Sequence, residues 1–124
     1  MSKRALTAAA WWGGLILIDQ CSKLFLPTHF INTRLNSLFL AGGGIILLFI
    51  YRRAFTPSSL LAARSSLITL TAGGLSNLLD RLFWGGVRDI FTLGPLQWNV
   101  ADLYIVSGVA AWFYVVWSER AGAI

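Results

Sequence analysis

The chain has 124 residues, 56% of them hydrophobic and only 12% charged, about half the charge density of a soluble domain. That length suits a single domain over residues 1–124, and six Trp and twelve Gly complete a membrane profile. The lone Cys21 excludes a disulfide-stapled secreted scaffold, and a net charge of +5 with no basic stripe or nucleic-acid motif argues for membrane topology rather than nucleic-acid binding.

Met1 to Arg4 is a short basic start. Ala5 to about Leu26 is apolar except near its end, where Asp19 and Lys23 sit. It is too long for a signal-peptide core and no small-x-small cleavage site follows, so it reads as a first transmembrane helix. Pro27-Thr-His-Phe breaks that helix. A short polar link, Asn32 to Ser37, leads to a second span, about Leu35 to Tyr51, closed by Arg52-Arg53. Thr56-Pro57-Ser58-Ser59 is a turn with helix-start character. The third span runs from about Leu60 to Leu79. Arg64 lies near its start, where a long side chain can snorkel, and Gly73, Gly74 and Ser76 form a face suited to close helix packing. A loop follows, roughly Asp80 to Trp98, with turns at Gly85-Gly86 and Gly94-Pro95 and a short extended piece over Val87 to Leu93. The fourth span is about Asn99 to Trp117, with Glu119-Arg120 outside. Each span is long enough for a bilayer core of about 30 Å.

The fold expected is therefore an all-α membrane protein of four transmembrane helices, with a short outer loop carrying part of the active site. Lys3, Arg4, Arg52, Arg53, Arg64 and Arg120 collect on one side, against Lys23, Arg34, Arg81 and Arg88 on the other. The bias puts both termini in the cytoplasm. Asp19, Asp80, Asp89 and Asp102 then all fall at the outer ends of spans or in the outer loop. Carboxylates are costly there, and catalysis is the leading reason to keep them.

Asp89 and Asp102 are the candidate chemical pair. Two carboxylates brought close cannot both ionise cheaply, so one keeps a proton. The charged one can take a proton from water while the protonated one polarises a scissile carbonyl. That is aspartic-protease logic, and it needs no metal, cofactor or nucleophilic side chain. The competing reading is that either residue caps a helix or pairs with Arg88 or Arg81.

Asn77 and Asp80 stand at i, i+3 and share a helix face; Asn99 and Asp102 repeat the spacing. An Asn one turn from an Asp can orient a carboxylate or hold a substrate carbonyl, or the two can simply satisfy a helix end. Asp19 and Lys23, at i, i+4, form an intrahelical ion pair facing the bundle interior or the interface. Asp80 is followed at once by a cation, Arg81. Arg88, adjacent to Asp89, is expected to point away from it, because neighbours at i, i+1 diverge. His29 and Cys21 lack the companions of a metal site. Trp11, Trp12, Trp98, Trp112 and Trp117 fit an aromatic belt, and Trp84 and Trp98 could instead touch substrate at the membrane surface.

At these residues the sequence resembles the signal peptidase II family, the lipoprotein signal peptidases. Asp19-Gln-Cys-Ser-Lys23 is similar to the family's Asp-x-x-x-Lys at the end of the first helix. Gly73-Gly-Leu-Ser-Asn77-Leu-Leu-Asp80-Arg81 resembles its Gly-(Gly)-x-x-Gly-Asn-x-x-Asp-Arg block. Val87-Arg-Asp89-Ile-Phe91 resembles Val-Val-Asp-Phe, and Trp98-Asn99-Val-Ala-Asp102 resembles Phe-Asn-x-Ala-Asp. The four blocks occur in order between Asp19 and Asp102, and the resemblance covers roughly Asp19 to the C-terminus. The resemblance implies an aspartic endopeptidase that cuts the signal peptide from diacylglyceryl-modified prolipoproteins just before the lipidated Cys. It implies catalytic roles for Asp89 and Asp102, supporting or substrate-contacting roles for Asn77, Arg81 and Asn99, and structural roles for Asp19, Lys23 and Asp80.

The chain departs from the family in places. The outer link between the first two spans, normally a small β-rich cradle on the membrane surface, is much shorter. Its Asn-x-Gly-x-Ala-Phe block reads Asn32-Thr-Arg-Leu-Asn36-Ser-Leu-Phe39, so either Asn32 or Asn36 stands for the family's Asn. Ser76 replaces the family's Gly before the Asn, and Arg88 replaces its second Val. The resemblance implies a multi-pass protein of the bacterial inner membrane, active at its outer face. Its partners would be prolipoproteins and membrane lipids, with no nucleic acid, and it would be a monomer. Two rivals are a non-catalytic paralogue that binds lipoprotein precursors, which the shortened link favours, and a small proton-coupled transporter. The transporter would place its carboxylates near the bilayer midplane rather than at one interface.

Overall fold

The structure is a computed structural model that describes residues 2–32, 36–54 and 61–122. Within them lie four helices: α1 (Lys3–Phe25), α2 (Asn36–Ala54), α3 (Leu61–Trp84) and α4 (Val100–Arg120). Strand β1 (His29–Asn32) follows α1, and β2 (Gly86–Asp89), β3 (Phe91–Leu93) and β4 (Leu96–Trp98) lie between α3 and α4. The turn expected at 56–59 lies outside the described residues.

The helices begin and end where side-chain chemistry allows. Ser2 caps α1 by accepting the Ala5 N–H at 3.2 Å, and Pro27 follows its C-terminus, as a residue that cannot continue a helix should. The loop expected from Asp80 starts later. The run Leu78 to Trp84 holds no Gly or Pro, so α3 continues through Asp80 and Arg81 to Trp84. Gly85 ends it, with φ of 75° and its N–H on the Arg81 carbonyl at 3.1 Å.

The expected extended piece over 87–93 is two strands broken at Ile90, and the link after α1 holds a strand as well. Strand β1 pairs antiparallel with β2, His29 opposite Asp89 and Asn32 opposite Gly86. Asp89 is therefore on a paired strand rather than in an open loop. Strands β3 and β4 form a hairpin around Gly94-Pro95, closed by Leu93 opposite Leu96. The Phe91 and Trp98 rings stack across it at 4.2 Å. The Ile90 N–H donates to the Trp98 carbonyl at 3.1 Å, extending the hairpin ladder at its open end.

Helix α3 is central and packs against α1, α2 and α4. Small residues permit the closest approach. A Cβ at Gly73 would collide with the Ala101 carbonyl oxygen, and one at Gly108 would lie 2.7 Å from the Leu70 backbone nitrogen. The small residues expected to share one face divide among three neighbours: Gly73 lies against α4, Gly74 against Leu47 of α2, and Ser76 against Asp19 of α1.

Polarity runs opposite to that of a soluble protein. The largest fully buried side chains are Asn99, Thr71, Asp19, Asp80, Ser76 and Ser118, whereas Leu17, Ile45, Phe49, Phe113 and Trp117 are exposed. Among the described residues α4 alone is long and apolar enough, by length and composition, to cross a membrane. Helices α1 and α3 carry the charges Lys3, Arg4, Asp19, Lys23 and Arg64, Asp80, Arg81, and α2 has a shorter apolar stretch, Ala41–Ile50. Four helices are present, but only one has the composition expected of all four.

Candidate active site

One end of the bundle gathers residues from α1, α3, β2 and α4. Lys23 is the hub. Its ammonium lies 2.7 Å from Asp19 Oδ2, 3.0 Å from Asp80 Oδ2 and 3.2 Å from Asn77 Oδ1, so its three donors reach three acceptors. Asp19 does more than pair within its helix. Its Oδ1 accepts the Ala101 N–H at 2.8 Å, and its Oδ2 accepts the Ser76 hydroxyl at 2.6 Å. One carboxylate thereby joins α1, α3 and the first turn of α4.

Asp80 is held by Arg88. The Arg88 Nη2 donates to Asp80 Oδ1 at 2.9 Å, and its backbone N–H donates to Asp80 Oδ2 at 3.0 Å. The brace expected from the sequence neighbour Arg81 gives way to Lys23 and Arg88, because adjacent residues on a helix diverge. Arg81 lies over the Phe39 ring, 4.7 Å from its centroid. Arg88 also donates to Gln20 Oε1 at 2.8 Å, and its guanidinium sits 4.8 Å from the Trp84 ring centroid. It points away from Asp89, as expected. Asp19, Asp80, Lys23 and Arg88 balance in charge, two against two.

Asp89 and Asp102 meet through Asn99, which is fully buried. The Asn99 Nδ2 donates to Asp89 Oδ1 at 2.9 Å, and its Oδ1 accepts the Asp102 N–H at 3.0 Å. The Asn99 backbone N–H returns to Asp102 Oδ2 at 3.0 Å, which completes a capping box at the start of α4. The helix-capping reading of Asp102 is therefore also met. Asn77 closes the ring. Its Nδ2 donates to Asp102 Oδ1 at 2.9 Å, and its Oδ1 accepts from Asn99 Nδ2 at 3.1 Å. These partners leave each amide one workable orientation.

Asp89 is 4% exposed. Burial pushes its carboxyl above the ordinary value and the Asp102 charge adds to this, against the Asn99 hydrogen bond, which opposes it. Among the described residues no group of three or more His, Cys, Asp and Glu is placed to hold a metal ion. Asn32 ends β1 and Asn36 begins α2; their side chains lie outside the described residues.

Gln20 belongs to this site and has no role in the sequence reading, while Ser76 figures there only as a packing residue and Arg88 only as a neighbour of Asp89. Gln20 Nε2 reaches Ser76 Oγ at 2.9 Å and Asp80 Oδ1 at 3.1 Å. A signal existed for each. Gln20 is an uncharged polar residue in a mostly apolar helix, and Ser76 and Arg88 are the two polar departures from the motif pattern that the sequence resembles.

The Signal peptidase (SPase) II family profile matches residues 31–118. Lipoprotein signal peptidases from two strains of Streptococcus thermophilus, CNRZ 1066 and ATCC BAA-250 / LMG 18311, are each 36% identical over 60 residues. The aligned stretch spans 46% of this chain and 39% of each of these relatives. Two solved structures share the fold, each described as a bacterial membrane enzyme determined by the in meso method. One, at 2.3 Å resolution, superposes with a TM-score of 0.81 over 94% of this chain and 90% of its own, at 19% identity. The other, at 1.9 Å, gives 0.76 over 89% and 92%, at 20% identity.

Proposed function

This chain belongs to the signal peptidase II family, and from that premise we propose that it is a membrane aspartic endopeptidase. It removes signal peptides from diacylglyceryl-modified prolipoproteins, cutting before the lipidated Cys. The observation that carries the reading is the Asn99 bridge between Asp89 and Asp102. Lys23 and Arg88 are engaged by Asp19 and Asp80, and the contacts that link the two carboxylates run through the neutral amides of Asn99 and Asn77. Such a pair shares one proton.

In this reading Asp89 holds the shared proton at rest, because burial and the Asp102 charge both raise its affinity for it. It donates to the scissile carbonyl as the tetrahedral oxygen develops charge. Asp102, an acceptor at both oxygens, takes a proton from the attacking water. Asn77 and Asn99 hold both carboxylates in place, and Asp19, Lys23, Asp80 and Arg88 brace the elements that carry them.

The polar interior and apolar exterior support a bundle whose four helices all span the bilayer. The charges of α1 and α3 lie inside or near the helix ends. Both termini are cytoplasmic, the aspartates sit at the outer face of the bacterial inner membrane, and the chain acts as a monomer among lipids. Gel-shift cleavage of a diacylated prolipoprotein by the purified protein in detergent tests this. A shift that requires the lipidated Cys supports it, and an unchanged precursor at stoichiometric enzyme overturns it.

A further inference from the structure

Asp89 and Asp102 come from different elements, β2 and α4, and a run of hydrogen bonds connects the residues just before them. Arg88 Nη2 donates to Gln20 Oε1 at 2.8 Å. Gln20 Nε2 donates to Ser76 Oγ at 2.9 Å. The Ser76 hydroxyl donates to Asp19 Oδ2 at 2.6 Å, and Asp19 Oδ1 accepts the Ala101 N–H at 2.8 Å. The run therefore starts one residue before Asp89 and ends one residue before Asp102. It crosses from α1 to α3 and back, and uses neither of the two bridged carboxylates.

Each bond constrains the next. The Arg88 guanidinium offers only donors, so the Gln20 oxygen must face it and the Gln20 nitrogen must face Ser76. Ser76 then accepts from Gln20, which leaves its own proton for Asp19. Ser76 and Asp19 are fully buried and Arg88 is 7% exposed, so a missing member leaves its neighbours unsatisfied in the interior. Arg88 and Asp89 are neighbours on a strand, and their side chains leave opposite faces. The grip on Arg88 thus fixes the backbone that carries Asp89 and leaves the Asp89 side chain to Asn99. Ala101 is gripped by its backbone N–H in the first turn of α4.

We infer that Gln20 is a positioning residue of the peptidase site, and that the run from Arg88 to Ala101 sets the separation of Asp89 and Asp102. Asn99 joins the two carboxylates directly; Gln20 joins the backbones that carry them, by way of α1. Gln20 has no charge, so it acts on where the carboxylates stand and not on their titration. A Gln20 that only filled space and satisfied its neighbours would move the melting temperature alone. The inference rests on the peptidase reading above.

The test uses the purified full-length protein in detergent. Gln20→Met roughly conserves volume and removes every hydrogen bond that the Gln20 side chain makes. For a diacylated prolipoprotein, kcat per folded molecule should fall about tenfold to a hundredfold, as for a misplacement of about 1 Å. KM and the midpoints of the pH profile should stay. Ser76→Ala opens the same run at its next member and should give a similar loss. The double variant Gln20→Met/Ser76→Ala should lose no more than either alone, because both open one run. Hydrogen–deuterium exchange in Gln20→Met should rise over both 86–89 and 99–102. Wild-type kcat in Gln20→Met overturns the inference. So does a loss confined to KM, losses that multiply in the double variant, or exchange that rises in only one of the two segments. Should Gln20→Met fail to fold, kcat and exchange of Ser76→Ala decide. A wild-type protein that cuts no precursor overturns the peptidase reading instead, and the exchange experiment still tests the run.

Discussion

Arg88 sits beside Asp89 in sequence but holds Asp80, through its guanidinium at 2.9 Å and its backbone N–H at 3.0 Å. The contact locks strand β2 to α3, and Gln20 extends it to α1. Arg88→Ala should therefore act on stability rather than on the titration of Asp89 and Asp102. Opening this pair leaves Asp80 buried with one cation fewer, a loss of about 3 kcal/mol. The melting temperature should fall, while the pH profile of cleavage by the remaining folded protein keeps its midpoints. A large displacement of that profile would show that Arg88 tunes Asp89 directly.

Asp89→Asn and Asp102→Asn should each abolish cleavage by several orders of magnitude, as members of one catalytic unit do. Their stabilities should diverge. The folded Asp89 carboxyl binds its proton more tightly than the unfolded one, whose ordinary value is 3.8. The Asp89 contribution to stability therefore falls as pH rises from 3.8 through the raised folded value. An Asn at this position has no charge to desolvate and can still accept the Asn99 hydrogen bond. Above that window Asp89→Asn should melt higher than wild type, and below it the difference should vanish. Asp102→Asn loses one of two acceptor oxygens and should melt lower, by about 1 kcal/mol. Thermal melts across pH separate the two.

Helix packing yields a control away from the chemistry. Gly108 faces the α3 backbone, and the Leu70 nitrogen and Ser66 carbonyl cannot yield as a side chain would. Gly108→Ala should cost about 1–3 kcal/mol, whereas Gly13→Ala, with nothing within 4 Å of the added methyl, should be tolerated. Equal melting temperatures for the two variants would contradict the close α3–α4 approach.

Much of this arrangement was legible in the residues. The four helices followed from apolar runs and their breaks, and the Asp19–Lys23 pair followed from i, i+4 spacing. The partner of Asp80 was not legible. Lys23 and Arg88 reach it only after α1 and β2 have docked on α3, and sequence adjacency pointed to Arg81. The β1–β2 pairing was hidden for a similar reason. Its strands are four residues each and separated by two helices, so no local alternation announces a sheet. Helix α3 runs on past the charged residues Asp80 and Arg81 because its breaker is Gly85, with φ of 75°.

Asn99 performs two tasks that one substitution can separate. Its side-chain oxygen caps α4 through the Asp102 N–H at 3.0 Å, and its side-chain nitrogen holds Asp89 at 2.9 Å. Asn99→Ala removes both, so it should cost about 1 kcal/mol of cap stability and most of the activity. Asn99→Asp keeps a strong cap but replaces the donor facing Asp89 with a third carboxylate. A carboxylate cannot donate to Asp89, and its charge drives the neighbouring carboxyls toward their protonated forms. The expected outcome is a protein with intact α4 capping, activity as low as that of Asn99→Ala, and any residual activity displaced to a different pH range. Helix content by circular dichroism and the pH profile of prolipoprotein cleavage measure the two tasks independently. Wild-type cleavage by Asn99→Asp would mean that the bridge to Asp89 is incidental to the chemistry.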